Sequence, residues 1–206
     1  MRIGLDFDNT VVCYDELFHR AAFEEGLIPA DLPPGKVSVR DYLRRQGREE
    51  QWILLQGTVY GRRMTEATIF PGVIDFLHMA EGAGAEVVIV SHRTLHPARG
   101  PAYDLHRAAR DWVDLHLVGE HGSLLPSERL FFELTKEEKL RRIGACGCEF
   151  FVDDLPDILT APSFPATTTR FLFDPTGQLP LAADVTSVAS WTMLAQHFAE
   201  RWSTIP

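Results

Sequence analysis

The sequence predicts an α/β fold: a mostly parallel central sheet with helices on both faces. Two observations predict it. Apolar runs with strand character recur at 2–6, 86–90, 130–133, 149–152 and 169–173, with a weaker one at 185–188. Stretches with helical periodicity lie between several of them. Strands that alternate with helices are joined by crossovers and therefore run parallel. A third observation is an interruption. Between Val12 and Phe70 no convincing strand appears, so a helical segment is inserted after the first strand.

The elements follow in order. Ile3, Gly4 and Leu5 read as a buried strand that breaks at Asp6-Phe7-Asp8-Asn9-Thr10. A helix is expected from about Tyr14 to Gly26, with Leu17, Phe18, Ala21 and Ala22 apolar. Pro29, Pro33, Pro34 and Gly35 then break the chain. More helical sequence runs from about Ser38 to Met64. Val73, Phe76, Leu77 and Ala80 fall at i, i+3, i+4 and i+7, as do Leu105, Ala108, Ala109 and Trp112. Trp191, Leu194, Ala195, Phe198 and Trp202 form a last amphipathic stripe. This spacing places one apolar face of a helix against a core.

Composition narrows the class. A chain of 206 residues with 45% hydrophobic content supports one compact domain with room for a small lobe. No run of 18 apolar residues exists, so no membrane span is expected. Met1 leads almost directly into the first strand without a charged-then-apolar leader, and three cysteines fit a reducing compartment. A cytoplasmic location is the expectation. A net charge of −9 argues against non-specific nucleic-acid binding, which needs a basic face. The pairs Arg44-Arg45, Arg62-Arg63 and Arg141-Arg142 are too scattered to form such a track.

The chemistry concentrates at strand ends. Side chains alternate along a strand, so Asp6 and Asp8 converge only if the chain curls after Asp6. Two converging carboxylates repel unless a cation lies between them, and oxygen donors suit a hard ion such as Mg²⁺. Three further segments end near the same place. Glu86-Val87-Val88-Ile89-Val90 is a strand ending in Ser91. Phe150-Phe151-Val152 is a strand ending in Asp153-Asp154, followed by Asp157. Thr135-Lys136-Glu137-Glu138 opens a helix, Thr135 and Glu138 forming a capping box. In parallel α/β sheets ligands bind beyond the carboxyl ends of the strands, where Asp6, Ser91 and Asp153-Asp154 all fall.

In that order the four segments resemble the motifs of the haloacid dehalogenase (HAD) superfamily: Asp-x-Asp-x-Thr, strand-Ser/Thr, Lys and strand-Asp-Asp. The resemblance covers roughly residues 1–12 and 70–175. It implies a Rossmann-like three-layer sandwich with a small helical cap inserted after the first strand. Residues 1–12 and 70–206 would form the catalytic core and 13–69 the cap. It implies that Asp6 is the nucleophile and Asp8 the general acid and base. Ser91 would bind a phosphoryl oxygen. The lysine would neutralise phosphate charge and hold Asp6. Lys136 is the expected lysine, because Leu140 and Ile143 follow it at the family's spacing; Lys139 is the rival, expected as a solvated helix residue. Asp6, Asp8, Asp154 and Asp153 would hold Mg²⁺, Asp154 as a direct ligand and Asp153 directly or through water. Asp157 is either a holder of metal-bound water or a helix-start carboxylate.

His92, Arg93, Thr94 and His96 follow Ser91 directly. His92 and Arg93 are candidate substrate-binding residues, Arg93 for a second anionic group. Arg62 and Arg63, near the end of the expected cap, are similar candidates. Cys146-Gly147-Cys148 lacks a second Cys/His pair at zinc-like spacing and is read as two buried or turn cysteines. The expectation is a Mg²⁺-dependent phosphatase acting on a small phosphorylated metabolite. A phosphomutase on the same scaffold is the alternative, and a non-catalytic phosphate- or metal-binding protein the more distant one.

Overall fold

The structure, a computed structural model, describes residues 1–120 and 122–202, without the side chains of residues 200–202. Trp202 of the expected C-terminal stripe therefore falls outside the described side chains. The chain divides into two compact units. One holds residues 1–11, 69–92 and 117–206; the other holds 12–68 and 93–116.

The first unit is built on a six-stranded sheet. Its strands are β1 (Arg2–Leu5), β2 (Glu86–His92), β3 (Leu130–Glu133), β4 (Phe150–Asp153), β5 (Thr169–Phe173) and β6 (Val185–Val188). Their order across the sheet is β6-β5-β4-β1-β2-β3, and every pairing is parallel. Strands buried on both faces read as near-continuous apolar runs, which is why these segments stand out in the sequence. The chain builds outward from β1 through β2 to β3, then returns to lay β4 on β1's other side. That reversal opens a crevice at the carboxyl ends of β1 and β4.

Alternation along the strands fills both faces. On one side Val88, Val90, Phe151 and Leu172 form a core with Leu140, Ile143, Ile158 and Leu159. On the other, Phe150 meets Phe198 at 4.9 Å between ring centroids, and Phe76 meets Trp191 at 5.2 Å. Gly4 in the middle of β1 is obligatory: a Cβ there would lie 2.5 Å from the Phe151 ring and 2.8 Å from the Cys148 sulfur.

The second unit is helical. Four helices account for it: α1 (Asp15–Glu24), α2 (Lys36–Arg45), α3 (Glu49–Gly57) and, from a later segment, Leu105–His116. The expected continuous stretch from 38 to 64 is divided. Gly47, in the left-handed region at φ 67°, separates α2 from α3. Beyond α3 the chain widens into a π-helical turn over Thr58–Arg62, then tightens at Met64–Glu66. Phe18 packs on Trp52 at 5.0 Å and on Tyr60 at 5.5 Å. The Trp112 indole N–H donates to the carbonyl of Ala67 at 2.9 Å, tying Leu105–His116 to this unit. No helix among the described residues is long and apolar enough to cross a membrane.

Candidate active site

Asp6 follows β1 directly and is 4% exposed. Its backbone N–H donates to the carbonyl of Val152 at 2.8 Å, which continues the β1–β4 register and brings Asp6 level with Asp153. The chain then curls. Val11 N–H donates to the carbonyl of Phe7 at 3.1 Å, and Asn9 takes a positive φ of 58°. Asparagine tolerates that conformation better than most residues, so the Asp8-Asn9 step supplies the expected turn.

Asp6, Asp153 and Asp154 each offer a carboxylate oxygen within 4.8 Å of the others. The cluster is all oxygen, the donor chemistry Mg²⁺ takes. Asp153 is fully buried with both oxygens engaged: Oδ1 accepts from the Leu155 N–H at 3.0 Å and Oδ2 from Lys139 at 2.6 Å. Burial, with Asp6 beside it, pushes the Asp153 carboxyl above the usual carboxylate range, although Lys139 pulls the other way. Asp6, Asp153 and the half-buried Asp154 are the donors that could hold a cation, Asp153 also holding the lysine. Asp8 is not part of this group; its carboxylate is instead one of the charges acting on His92.

The lysine is corrected. Lys139, not Lys136, reaches the carboxylates. Its Nζ donates to Asp6 Oδ1 and Asp153 Oδ2, both at 2.6 Å, and the residue is fully buried. Burial alone would lower the ammonium's pKa, but the combined pull of Asp153 and Asp6 exceeds it and the net shift is upward. The capping box forms as expected, Thr135 Oγ1 accepting from the Glu138 N–H at 3.1 Å. It fixes the start of the helix Lys136–Ala145. At 1.5 Å rise per residue, Lys139 then stands roughly 4.5 Å further along the axis than Lys136. Both point to one side of the helix; only depth separates them. Lys136, one turn outward, donates to the carbonyl of Asp157 at 2.7 Å.

Ser91 is 1% exposed in β2, two residues past the level of Leu5. His92 follows, half-buried. Burial and then Lys139 lower its pKa, while Asp6 and Asp8 oppose that shift. His92 therefore lies in the field of the same charges. Asp157 is exposed and outside the carboxylate group. Cys146 and Cys148 are buried in the core beside Leu140 and Phe151, as expected of structural cysteines.

The second unit holds the remaining candidates. Arg93 is buried, at 8% exposure, and covers the Tyr60 ring at 5.7 Å. Arg62 is exposed. The Arg63 guanidinium is engaged by Glu24 and Glu66, at 2.5 and 2.7 Å, so its charge is taken up within the lobe.

No protein-family model and no curated protein matches the chain. Solved structures do. A HAD-superfamily hydrolase from Ehrlichia chaffeensis matches with a TM-score of 0.54 at 12% identity, over 97% of this chain and 96% of that one. A HAD family hydrolase from Deinococcus radiodurans, with bound phosphate and sodium, matches at 0.53 and 17% identity, over 97% and 95%. An archaeal β-phosphoglucomutase from Pyrococcus matches at 0.56 and 14%, over 98% of each. The chain has the haloacid dehalogenase fold.

Proposed function

We propose that this protein is a Mg²⁺-dependent phosphatase that hydrolyses a small phosphorylated metabolite through an aspartyl-phosphate on Asp6. The observation that carries the reading is Asp6 itself. It is buried at a strand end, one oxygen is gripped by Lys139 at 2.6 Å, and Asp154 converges on it.

Phosphoryl transfer needs an aligned nucleophile, charge neutralisation on the phosphoryl oxygens and a proton for the leaving group. With Oδ1 fixed by Lys139, Asp6 has its other oxygen to attack phosphorus and displace the leaving oxygen. Asp8, from the turn after β1, gives that oxygen its proton and later takes one from the attacking water. The Ser91 hydroxyl donates to a phosphoryl oxygen. Lys139 carries positive charge throughout, because its two carboxylates keep it protonated. Mg²⁺, when bound by Asp6 and Asp154, would neutralise phosphoryl charge and offset the repulsion among the carboxylates.

Phosphate release from a panel of phosphorylated sugars, acids and an aryl phosphate, with Mg²⁺, tests the reading. Asp6→Asn should lower kcat/KM by at least about 10³-fold, roughly 4 kcal/mol of transition-state stabilisation. Chelation should abolish activity and Mg²⁺ restore it. Mg²⁺ should also raise the Tm of the wild type, a shift that Asp154→Asn should remove, because a ligand of the native state stabilises it. Activity retained by Asp6→Asn would exclude the covalent route. Isomerised product without free phosphate would assign a phosphomutase instead.

A further inference from the structure

Lys136 makes a bond that charge pairing does not explain. It stands at the first position of the helix Lys136–Ala145, where the helix dipole disfavours a cation. Glu137 and Glu138 follow it directly, and Asp157 carries a carboxylate of its own. Among the described residues the Lys136 ammonium pairs with none of these carboxylates. It reaches 21 residues along the chain and donates to a backbone oxygen, the carbonyl of Asp157, at 2.7 Å.

The local fold leaves that carbonyl to be filled. Pro156–Leu159 is a single helical turn. The Leu155 carbonyl accepts from the Ile158 N–H at 3.1 Å, and the Pro156 carbonyl from the Thr160 N–H at 2.9 Å. A continued helix would give Asp157 the N–H of Ala161, but that N–H donates to the Ile158 carbonyl at 3.2 Å. Carbonyls at a helix end take side chains or water instead, and lysine suits the negative end.

The segment held in this way carries Asp154. Asp153 is fixed by pairing in β4 and by the bond from the Leu155 N–H, while Ile158 and Leu159 are buried in the core. Between these anchors Leu155 and Asp157 are exposed, so burial does little to fix the backbone there. Lys136 ties that stretch to the helix whose Lys139 reaches Asp6 and Asp153. One helix thus grips the site at two depths, Lys139 on side chains and Lys136 on main chain.

We propose that Lys136 is a positioning residue for the metal site: by holding the Asp157 carbonyl it sets the turn after β4, and with it the aim of the Asp154 carboxylate at the cation. Asp157 then acts through its main chain and not its side chain. The inference rests on the Mg²⁺ part of the reading above. Partners that orient a metal ligand contribute roughly ten- to hundredfold in affinity.

The direction of change on substitution decides between a tether and a mere charge. Lys136, with Asp6, Asp8 and Lys139, is one of the charges acting on His92, so by charge alone it would repel Mg²⁺. Its removal would then tighten the metal. The tether requires the opposite. Lys136→Met should weaken Mg²⁺ binding about tenfold in calorimetry on the substrate-free protein, and shrink the rise in Tm at a fixed Mg²⁺ concentration. Lys136→Arg should recover most of the affinity, and Asp157→Ala, which keeps the carbonyl, should leave it nearly unchanged. Amide exchange over residues 154–160 should quicken in Lys136→Met without metal. Lys136→Gln, with a shorter reach, serves if Lys136→Met fails to fold. Unchanged or tighter binding in these variants, or an equal loss in Asp157→Ala, would overturn the positioning role and leave the phosphatase standing. Mg²⁺ binding that depends on Lys136 in a protein that releases no phosphate would keep the positioning role and overturn the phosphatase. A wild type that binds no Mg²⁺ would overturn the metal reading and this role together.

Discussion

Lys139 shows how much one residue's depth decides. It sits among Leu140 and Ile143 on the buried face of its helix and is fully buried itself. One ammonium there compensates two carboxylates. Removing one member of a buried ionic group leaves the others uncompensated and typically costs ~3–5 kcal/mol, whereas a half-exposed hydrogen bond is worth about 1 kcal/mol. Lys139→Met should therefore lower stability severalfold more than Lys136→Met in denaturant titrations, and only the former should abolish turnover. Comparable effects would mean that the Asp6–Lys139–Asp153 group contributes little. Both lysines share a helix face, so spacing alone could not rank them. The legible signal was a lysine inside an apolar stripe, which requires buried anions; depth came only with the helix start fixed against the sheet. Cys148 offers a second test at this scale. Burial, with Cys146 beside it, pushes its thiol up to about 12 from an ordinary 9.0. Above pH 9 the unfolded thiol loses a proton that the folded one keeps. Its contribution to stability is thus complete below pH 9 and lost as pH rises toward 12, with a slope of up to about 1.4 kcal/mol per pH unit. Cys148→Ala should flatten the alkaline decline in urea-derived stability; an unchanged slope would assign the decline to other groups.

At the scale of elements, the strands were the most readable part. Strands covered on both faces are continuous apolar runs, and all six appear within a residue or two of where the pattern places them. The inserted helices were readable as helices but not in detail. Their break at Gly47 and the π-helical turn at Thr58–Arg62 depend on packing that local periodicity does not carry. Gly61 lets the Tyr103 side chain approach the turn closely. A Cβ there would lie 2.6 Å from the Tyr103 side chain, too close for any real contact. Gly61→Ala should push the Tyr103 segment away from the turn. Overpacking of this kind costs typically 1–3 kcal/mol, against the fraction of a kcal/mol that alanine gains in an unobstructed helix. The Tm should fall, and hydrogen exchange should quicken over residues 97–105. A rise in Tm would show that the segment yields without cost.

At the scale of the whole molecule, the chain passes from one unit to the other after residues 11, 68, 92 and 116. A linear reading sees one insertion after the first strand, because the stripe Leu105–Ala109–Trp112 looks like any sheet-covering helix. Nothing in its periodicity names the surface it covers. The structure does: Trp112 donates to Ala67, His116 is bonded to the carbonyl of Thr65, and Leu105, Ala109, Trp112 and Val113 are all buried within the helical unit's segments. Deleting residues 13–68 alone should therefore strand that helix. Each large apolar side chain returned to water costs about 1.5–3 kcal/mol, so the shortened chain should bind a hydrophobic dye and lose cooperative unfolding. Removing 94–116 as well should restore a cooperative transition. The sheet keeps its own core, and the first cut closes easily because the Phe70 N–H already donates to the Val11 carbonyl at 3.0 Å. Far-UV circular dichroism during urea titration of both deletions decides it. A single deletion that unfolds as sharply as the double one would mean that Leu105–His116 belongs with the sheet.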